Sequence, residues 1–199
     1  MTVTLTPGQR RILKDILTLN REPLHDSGIY IHHDEENISR ATAVLFGPEG
    51  TPYAHGAYLF EFNFPSNYPF VSPKAKFCTY DQFAKTRFHP NLYVEGKVCL
   101  SILGTWDGPG WTSVQTFSSL LLSIMSLFDE NPLENEPGFE NTTKENNENY
   151  NGCVRYQNCR IAVLHQTQHL NENFKHFLPI IEEYYIKNYS KIKELWTKY

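Results

Sequence analysis

The order of sequence patterns along the chain predicts an α+β fold: an N-terminal helix, a four-stranded antiparallel meander, then packed helices. A capped amphipathic stretch, four short β-rich segments split by turn residues, and helical periodicity beyond Phe117 carry that expectation. In the first helix Thr6 suits the cap, Pro7 the first helical position, and Gln9 completes a Thr-x-x-Gln box. Ile12, Leu13, Ile16 and Leu17 form its apolar stripe, with Arg10, Arg11 and Lys14 expected on the opposite face.

The strands are expected at Ile29 to His33, Arg40 to Phe46, Ala57 to Phe64 and Lys74 to Thr79. In the third, Tyr58, Phe60, Phe62 and Phe64 alternate with Glu61 and Asn63, the period of a strand with unlike faces. Gly47-Pro48-Glu49-Gly50 is a turn, and short links favour antiparallel pairing. Pro65, Pro69 and Pro73 argue against a strand through Tyr68 to Ser72. An irregular stretch from Asp81 to Gly110 precedes the clearest helix, where Phe117, Leu120, Leu121, Ile124, Met125 and Phe128 share one face. Thr112 and Gln115 fit its capping box, and Glu130-Asn131-Pro132 should stop it. Asn141 to Asn149 reads as a solvated loop, and a further helix is expected from Asn149 to about His165.

Past Gln166, Ile181, Tyr184, Tyr185, Ile192, Leu195, Trp196 and Tyr199 keep a helical period, with Pro179 separating that helix from a shorter segment. Residues 1–165 are therefore expected to form a core, with 166–199 a C-terminal helical extension packed on it. The net charge of −4 implies no general attraction to nucleic acid or anionic membrane. Arg10, Arg11, Lys14 and Asp15 interrupt any signal-peptide core, and no apolar run approaches a membrane span. Cys78, Cys99, Cys153 and Cys159 form no C-x-x-C pair and no zinc spacing, so no metal site is expected and the thiols read as unpaired. The N-x-S/T triplets at Asn37, Asn141 and Asn188 read as chance matches.

The informative stretch runs Phe88-His89-Pro90-Asn91-Leu92-Tyr93-Val94-Glu95-Gly96-Lys97-Val98-Cys99-Leu100-Ser101-Ile102-Leu103. It resembles the active-site segment of the ubiquitin-conjugating enzymes, in which a His-Pro-Asn precedes the catalytic cysteine by a fixed distance. Asn91 lies eight positions before Cys99, as in that family. Gly47-Pro48, Thr51-Pro52-Tyr53, Tyr68-Pro69-Phe70 and Trp111 agree in order and spacing, over roughly residues 7 to 165. Lys97 to Trp106 together with Asn135-Glu136-Pro137-Gly138-Phe139-Glu140 is similar to the subgroup of the family designated Z. Ser101 stands where the commonest members have Asp, and Gly104 to Gly110 makes a longer connection than usual.

The resemblance implies the UBC-like fold and a thioester of ubiquitin, or a ubiquitin-like modifier, on the nucleophile Cys99, transferred to a substrate lysine. Such a cysteine must attack one thioester and then serve as a leaving group, which suits an irregular, partly exposed segment. Aminolysis passes through an oxyanion that needs a neutral donor. The resemblance gives Asn91 that role or support of the loop, and His89 a bracing role. Ser101, Glu134, Asn135 and Glu136 are supporting candidates, the last three as the group that assists the incoming lysine. Arg10, Arg11 and Lys14 are implied to meet the activating enzyme, and Phe70, Ser113 and Val114 a ubiquitin ligase. Cys78, Cys153 and Cys159 are expected to be buried structural thiols. No bound cofactor is implied, since ATP is used upstream by the activating enzyme, and the implied compartment is cytoplasmic or nuclear. A Cys-His hydrolase using Cys99 and His89 lacks an orienting residue. The remaining alternative is a non-catalytic ubiquitin-pathway module of the same fold.

Overall fold

The computed structural model describes residues 5–80 and 86–198. The N-terminal residues 1–4, residues 81–85 of the irregular stretch, and Tyr199 of the terminal helical period lie outside the described residues. Helix α1 (Pro7–Arg21) starts as its sequence dictates: Thr6 accepts from the Gln9 N–H while the Gln9 side chain accepts from the Thr6 N–H. Its buried side carries Gly8, Ile12, Asp15, Ile16 and Leu19, whereas Leu17 is exposed. The expected stripe is thus rotated, because Asp15 is an internal anchor. Its carboxylate accepts from the Tyr68 hydroxyl, the Phe117 N–H and Arg11 Nε. Arg11 is drawn with it to the inner side, away from the exposed Arg10 and Lys14.

Strands β1 (Ile29–His33), β2 (Arg40–Phe46), β3 (Ala57–Asn63) and β4 (Lys74–Phe77) pair antiparallel in sequence order. The register sets Ile29 against Leu45, Leu45 against Tyr58, and Phe60 against Phe77. Phe64 and Thr79 fall just outside the strands assigned to them. Ala43, Leu45, Tyr58, Phe60 and Phe62 line the inner face, packed with α1 and the helix α2 (Phe117–Met125). The other face is apolar as well: Val44, Phe46, Ala57 and Leu59 alternate with the inner set and are fully covered. A sheet with both faces dry needs a layer on each side.

Helix α2 is capped by Thr116 and Ser119, not by Thr112 and Gln115. Those two instead close a separate turn one step earlier, through the Gln115 N–H to Thr112 O and the Thr112 N–H to Gln115 Oε1. The helix ends at Met125, before the Glu130-Asn131-Pro132 stop. Helix α3 (Lys144–Gln157) begins within the segment read as a loop, behind a Thr143 cap. Its buried side includes Asn147 and Asn151, which donate to Glu134 Oε1 and Glu130 O, so hydrophobic periodicity could not reveal it. The chain continues as a π-helix over Asn158–His165 and a last turn, α4 (Gln166–Gln168). Asn158 at the start of the π turn donates to Ala54 O and accepts from the Tyr58 hydroxyl; a Cβ at Gly56 would lie 1.9 Å from its Oδ1. Only a glycine leaves that passage open.

The second layer is the C-terminal segment. A 3₁₀ turn (Glu172–Phe177) and helix α5 (Leu178–Lys187) set Phe174, Phe177 and Ile181 on Val44, Phe46, Ala57 and Leu59. Pro179 stands in the first turn of α5, at the boundary expected of it. The terminal helical period is divided: α5 ends at Lys187 with Asn188 as its cap, whose side chain donates to Tyr184 O, and α6 (Tyr189–Lys198) follows.

Candidate active site around Cys99

The segment bearing Cys99 is a hairpin pinned to the edge of the sheet. Leu92 bridges to Val98, and Lys97 bridges to Lys76 of β4. The Tyr93 N–H donates to Lys97 O, and Gly96 closes the turn at φ 97°. Phe77 N–H donates to Gly96 O at 2.8 Å, and a Cβ at Gly96 would lie 2.8 Å from Phe77 O. The turn therefore needs glycine for both its conformation and its approach to β4.

Asn91 and Cys99 face each other across this hairpin. The Cys99 N–H donates to Asn91 O at 2.9 Å, and Asn91 Nδ2 donates to Cys99 O at 2.8 Å. The Asn91 amide is thus engaged in holding the backbone at the thiol. His89, fully buried, accepts the Asn91 N–H on Nδ1 at 2.9 Å, while its Nε2 finds no partner among the described residues. Burial, and then the positive Arg87, hold its pKa down to about 3, so the ring is neutral and braces the turn. Tyr53 underlies the same turn, donating to Phe88 O at 2.9 Å.

Cys99 itself is 1% exposed, which corrects the expectation of a partly exposed thiol. The reason is local: its N–H and C=O are both paired across the hairpin, and its neighbours Val98 and Ile102 are buried. The long connection folds back on this segment, with Gly108 so near Ser101 that a Cβ would lie 3.1 Å from the Ser101 Cβ.

The three acidic-loop candidates are held in different ways. Glu134 accepts from Asn147, and Asn135 donates to Asp129 Oδ2 at 3.0 Å. Burial raises the Asp129 carboxyl, against the lowering effect of that bond and of the Asn131 N–H. Glu136 pairs with Arg87 at 2.8 Å, and Arg87 also donates to Pro90 O and lies 4.9 Å from the Tyr93 ring centre. Arg87 thereby joins the acidic loop to the His-Pro-Asn turn. Its role rests on contacts distant in sequence, which the pattern Arg87-Phe88-His89-Pro90-Asn91 does not reveal.

The candidate docking residues separate into two groups. Arg10 and Lys14 are exposed on α1, but Arg11 donates to Asp15 and to the carbonyls of Ser113 and Gln115. Its guanidinium ties α1 to the segment preceding α2, so it is no part of a free basic face. Phe70 and Val114 stand 79% and 84% exposed, with Ser113 beside them. Their loops are joined where Trp111 Nε1 donates to Pro69 O at 2.7 Å.

Cys78 is buried and its thiol is pushed up to about 12 by burial. Cys159 is half-buried and likewise raised, while Cys153 is exposed, contrary to the expectation that all three are buried. It lies on α3, whose inward side is taken by Asn147, Asn151 and Val154. Among the described residues no cluster of His, Cys, Asp or Glu could hold a metal ion, and no helix is long and apolar enough to cross a membrane.

A family model described as ubiquitin-conjugating enzyme matches residues 11–158. The chain is 44% identical over 154 residues to ubiquitin-conjugating enzyme E2 Z of Xenopus tropicalis, covering 77% of this chain and 48% of that protein. It is 36% identical over 200 residues to the probable ubiquitin-conjugating enzyme protein 17 of Caenorhabditis elegans, covering 95% of this chain and 26% of that protein. The chain thus spans less than half the length of these relatives. A crystal structure of H. polymorpha ubiquitin conjugating enzyme Pex4p, in complex with the soluble domain of Pex22p, superposes with a TM-score of 0.64 at 26% identity. That likeness covers 78% of this chain and 98% of Pex4p.

Proposed function

Because the chain belongs to the ubiquitin-conjugating enzyme family, we propose that it accepts ubiquitin, or a ubiquitin-like modifier, as a thioester on Cys99 and passes it to a substrate lysine. The Cys99 thiolate attacks the thioester carbonyl on the activating enzyme, and that enzyme's thiolate leaves. A lysine amine then attacks the new thioester, loses its proton, and expels the Cys99 thiolate as the amide bond forms. The observation that carries the reading is the Asn91–Cys99 pairing, which fixes the cysteine opposite the His-Pro-Asn turn.

The acidic loop supports the second step. A carboxylate alone would favour the charged ammonium, so its help lies in placing the amine. Glu136 is the candidate joined through Arg87 to the turn. Arg10 and Lys14 offer a basic surface for the activating enzyme, and Phe70 and Val114 an apolar surface for a ligase. The ubiquitin pathway supplies these partners, and ATP is spent upstream.

Incubation with activating enzyme, ATP and ubiquitin tests the reading. The expected product is a thiol-sensitive adduct, absent in Cys99→Ala and thiol-resistant in Cys99→Ser, where an ester forms. Undiminished charging of Cys99→Ala would refute the assignment, and no adduct on the wild type would leave a binding module.

A further inference from the structure

The backbone on either side of Cys99 is held by two residues. The peptide unit before it has its N–H, on Cys99, bonded to Asn91 O, and its carbonyl, on Val98, accepting from the Thr105 hydroxyl at 2.7 Å. In the unit after it, the Cys99 carbonyl accepts from Asn91 Nδ2, and the Leu100 N–H donates to Thr105 Oγ1 at 3.0 Å. The Thr105 N–H then donates to Leu100 O at 3.2 Å. Each flanking peptide therefore has one bond from Asn91 and one from Thr105, from opposite sides.

We propose that Thr105 is a positioning residue for the transfer reaction, its hydroxyl fixing the peptide planes that aim the Cys99 thiol. The assignment deepens the conjugating reading and rests on it. One hydroxyl both donates and accepts here, which Val cannot do and Ser can. With the hydroxyl lost, both peptide units are free to rotate on the side away from Asn91. Attack on a thioester carbonyl needs the sulfur within a narrow range of distance and angle, so small rotations weigh heavily on its rate. Gly104 at φ 67°, directly before Thr105, turns the chain back so that the hydroxyl reaches the segment it left.

The test compares the full chain with Thr105→Val and Thr105→Ser, substitutions at an exposed position. Charging is followed at increasing concentrations of each variant with activating enzyme, ATP and ubiquitin. Iodoacetamide labelling of the Cys99 peptide is followed in parallel by mass spectrometry. Thr105→Val is expected to lower the maximal charging rate roughly ten- to a hundredfold, with the half-saturating concentration unchanged. Its Cys99 should be labelled several times faster, because the covered thiol becomes looser. Thr105→Ser should restore both. A Thr105→Val protein that charges at the wild-type maximal rate, or a Thr105→Ser protein no better than Thr105→Val, would overturn the proposal. Failure of the wild type to form any adduct would instead refute the conjugating reading. Labelling then decides alone: faster in Thr105→Val and restored in Thr105→Ser supports the clamp, and unchanged labelling overturns it.

Discussion

Asn91 donates its side-chain amide to the carbonyl of Cys99 at 2.8 Å, and Cys99 returns its N–H to the carbonyl of Asn91. An amide committed in this way is a structural support for the nucleophile's backbone before it is a donor to any developing oxyanion. The stronger expectation is thus on the side of support, and it is measurable.

Asn91→Ala leaves the buried Cys99 carbonyl without its partner, a loss of about 1–3 kcal/mol. Urea unfolding should report that loss, and single-turnover assays should show charging and lysine discharge slowed together. Normal charging with slow discharge and unchanged stability would assign the amide to the oxyanion instead.

Arg11 and Lys14 should behave differently although both are basic residues of one helix. Arg11 pairs with Asp15, which is 4% exposed, and donates to two carbonyls before α2. Reversing it to Glu opposes two carboxylates and strands the acceptors, so a stability loss of about 2–4 kcal/mol is expected. Lys14→Glu should unfold like the wild type yet charge more slowly, most clearly at low salt. Equal stability of the two variants would contradict the distinction.

His89 should make the fold acid-sensitive. Its folded pKa, near 3, lies below the ordinary value of about 6.5, so in between only the unfolded chain takes the proton. Stability from this group is complete above about pH 6.5 and falls as the pH drops, by about 1.4 kcal/mol per pH unit. His55, lowered chiefly by burial, and His176, lowered to about 4 by burial and His32, act in the same direction. His89→Asn keeps an acceptor near Nδ1 and should remove one proton's share of the slope in urea unfolding from pH 7 to 4.5. An unchanged slope would mean the ring is not held neutral.

The helix–strand order is legible from apolar periodicity, and the approach of the His-Pro-Asn turn to Cys99 from their short separation, because both are local signals. What escaped is polar and inward. Asp15, Asn147 and Asn151 are buried through hydrogen bonds, so the buried face of α1 is rotated from its apolar stripe and α3 starts before any apolar periodicity marks it. Arg11 looked like surface charge for the same reason. Ala57 and Leu59, on either side of Tyr58 and facing away from it, are the available signal of a second covered face of the sheet. Thr105 could not be found from sequence, since its bonds depend on the chain returning through Gly104.

Beside Phe174, Phe177 and Ile181, Tyr184 also ties the C-terminal segment to the sheet. Its ring stacks on Phe46 at 3.7 Å, and its hydroxyl lies 3.0 Å from Nδ1 of His55, which is 2% exposed. Tyr184→Phe keeps the stack but orphans the histidine nitrogen, for a loss of about 1–2 kcal/mol. Tyr184→Ala removes the stack as well and, at a half-buried position, should lose about 2–4 kcal/mol. Cys78 belongs to the same apolar cluster and reports its opening, because a buried thiol raised to about 12 is labelled only when uncovered. Iodoacetamide labelling of Cys78 should therefore be slowest in the wild type, faster in Tyr184→Phe and fastest in Tyr184→Ala. Cys99, outside that cluster on the edge hairpin, should be labelled at one rate in all three. Equal Cys78 labelling across the series would show that the segment does not detach through this contact, and parallel changes at Cys99 would mean that the whole domain had loosened.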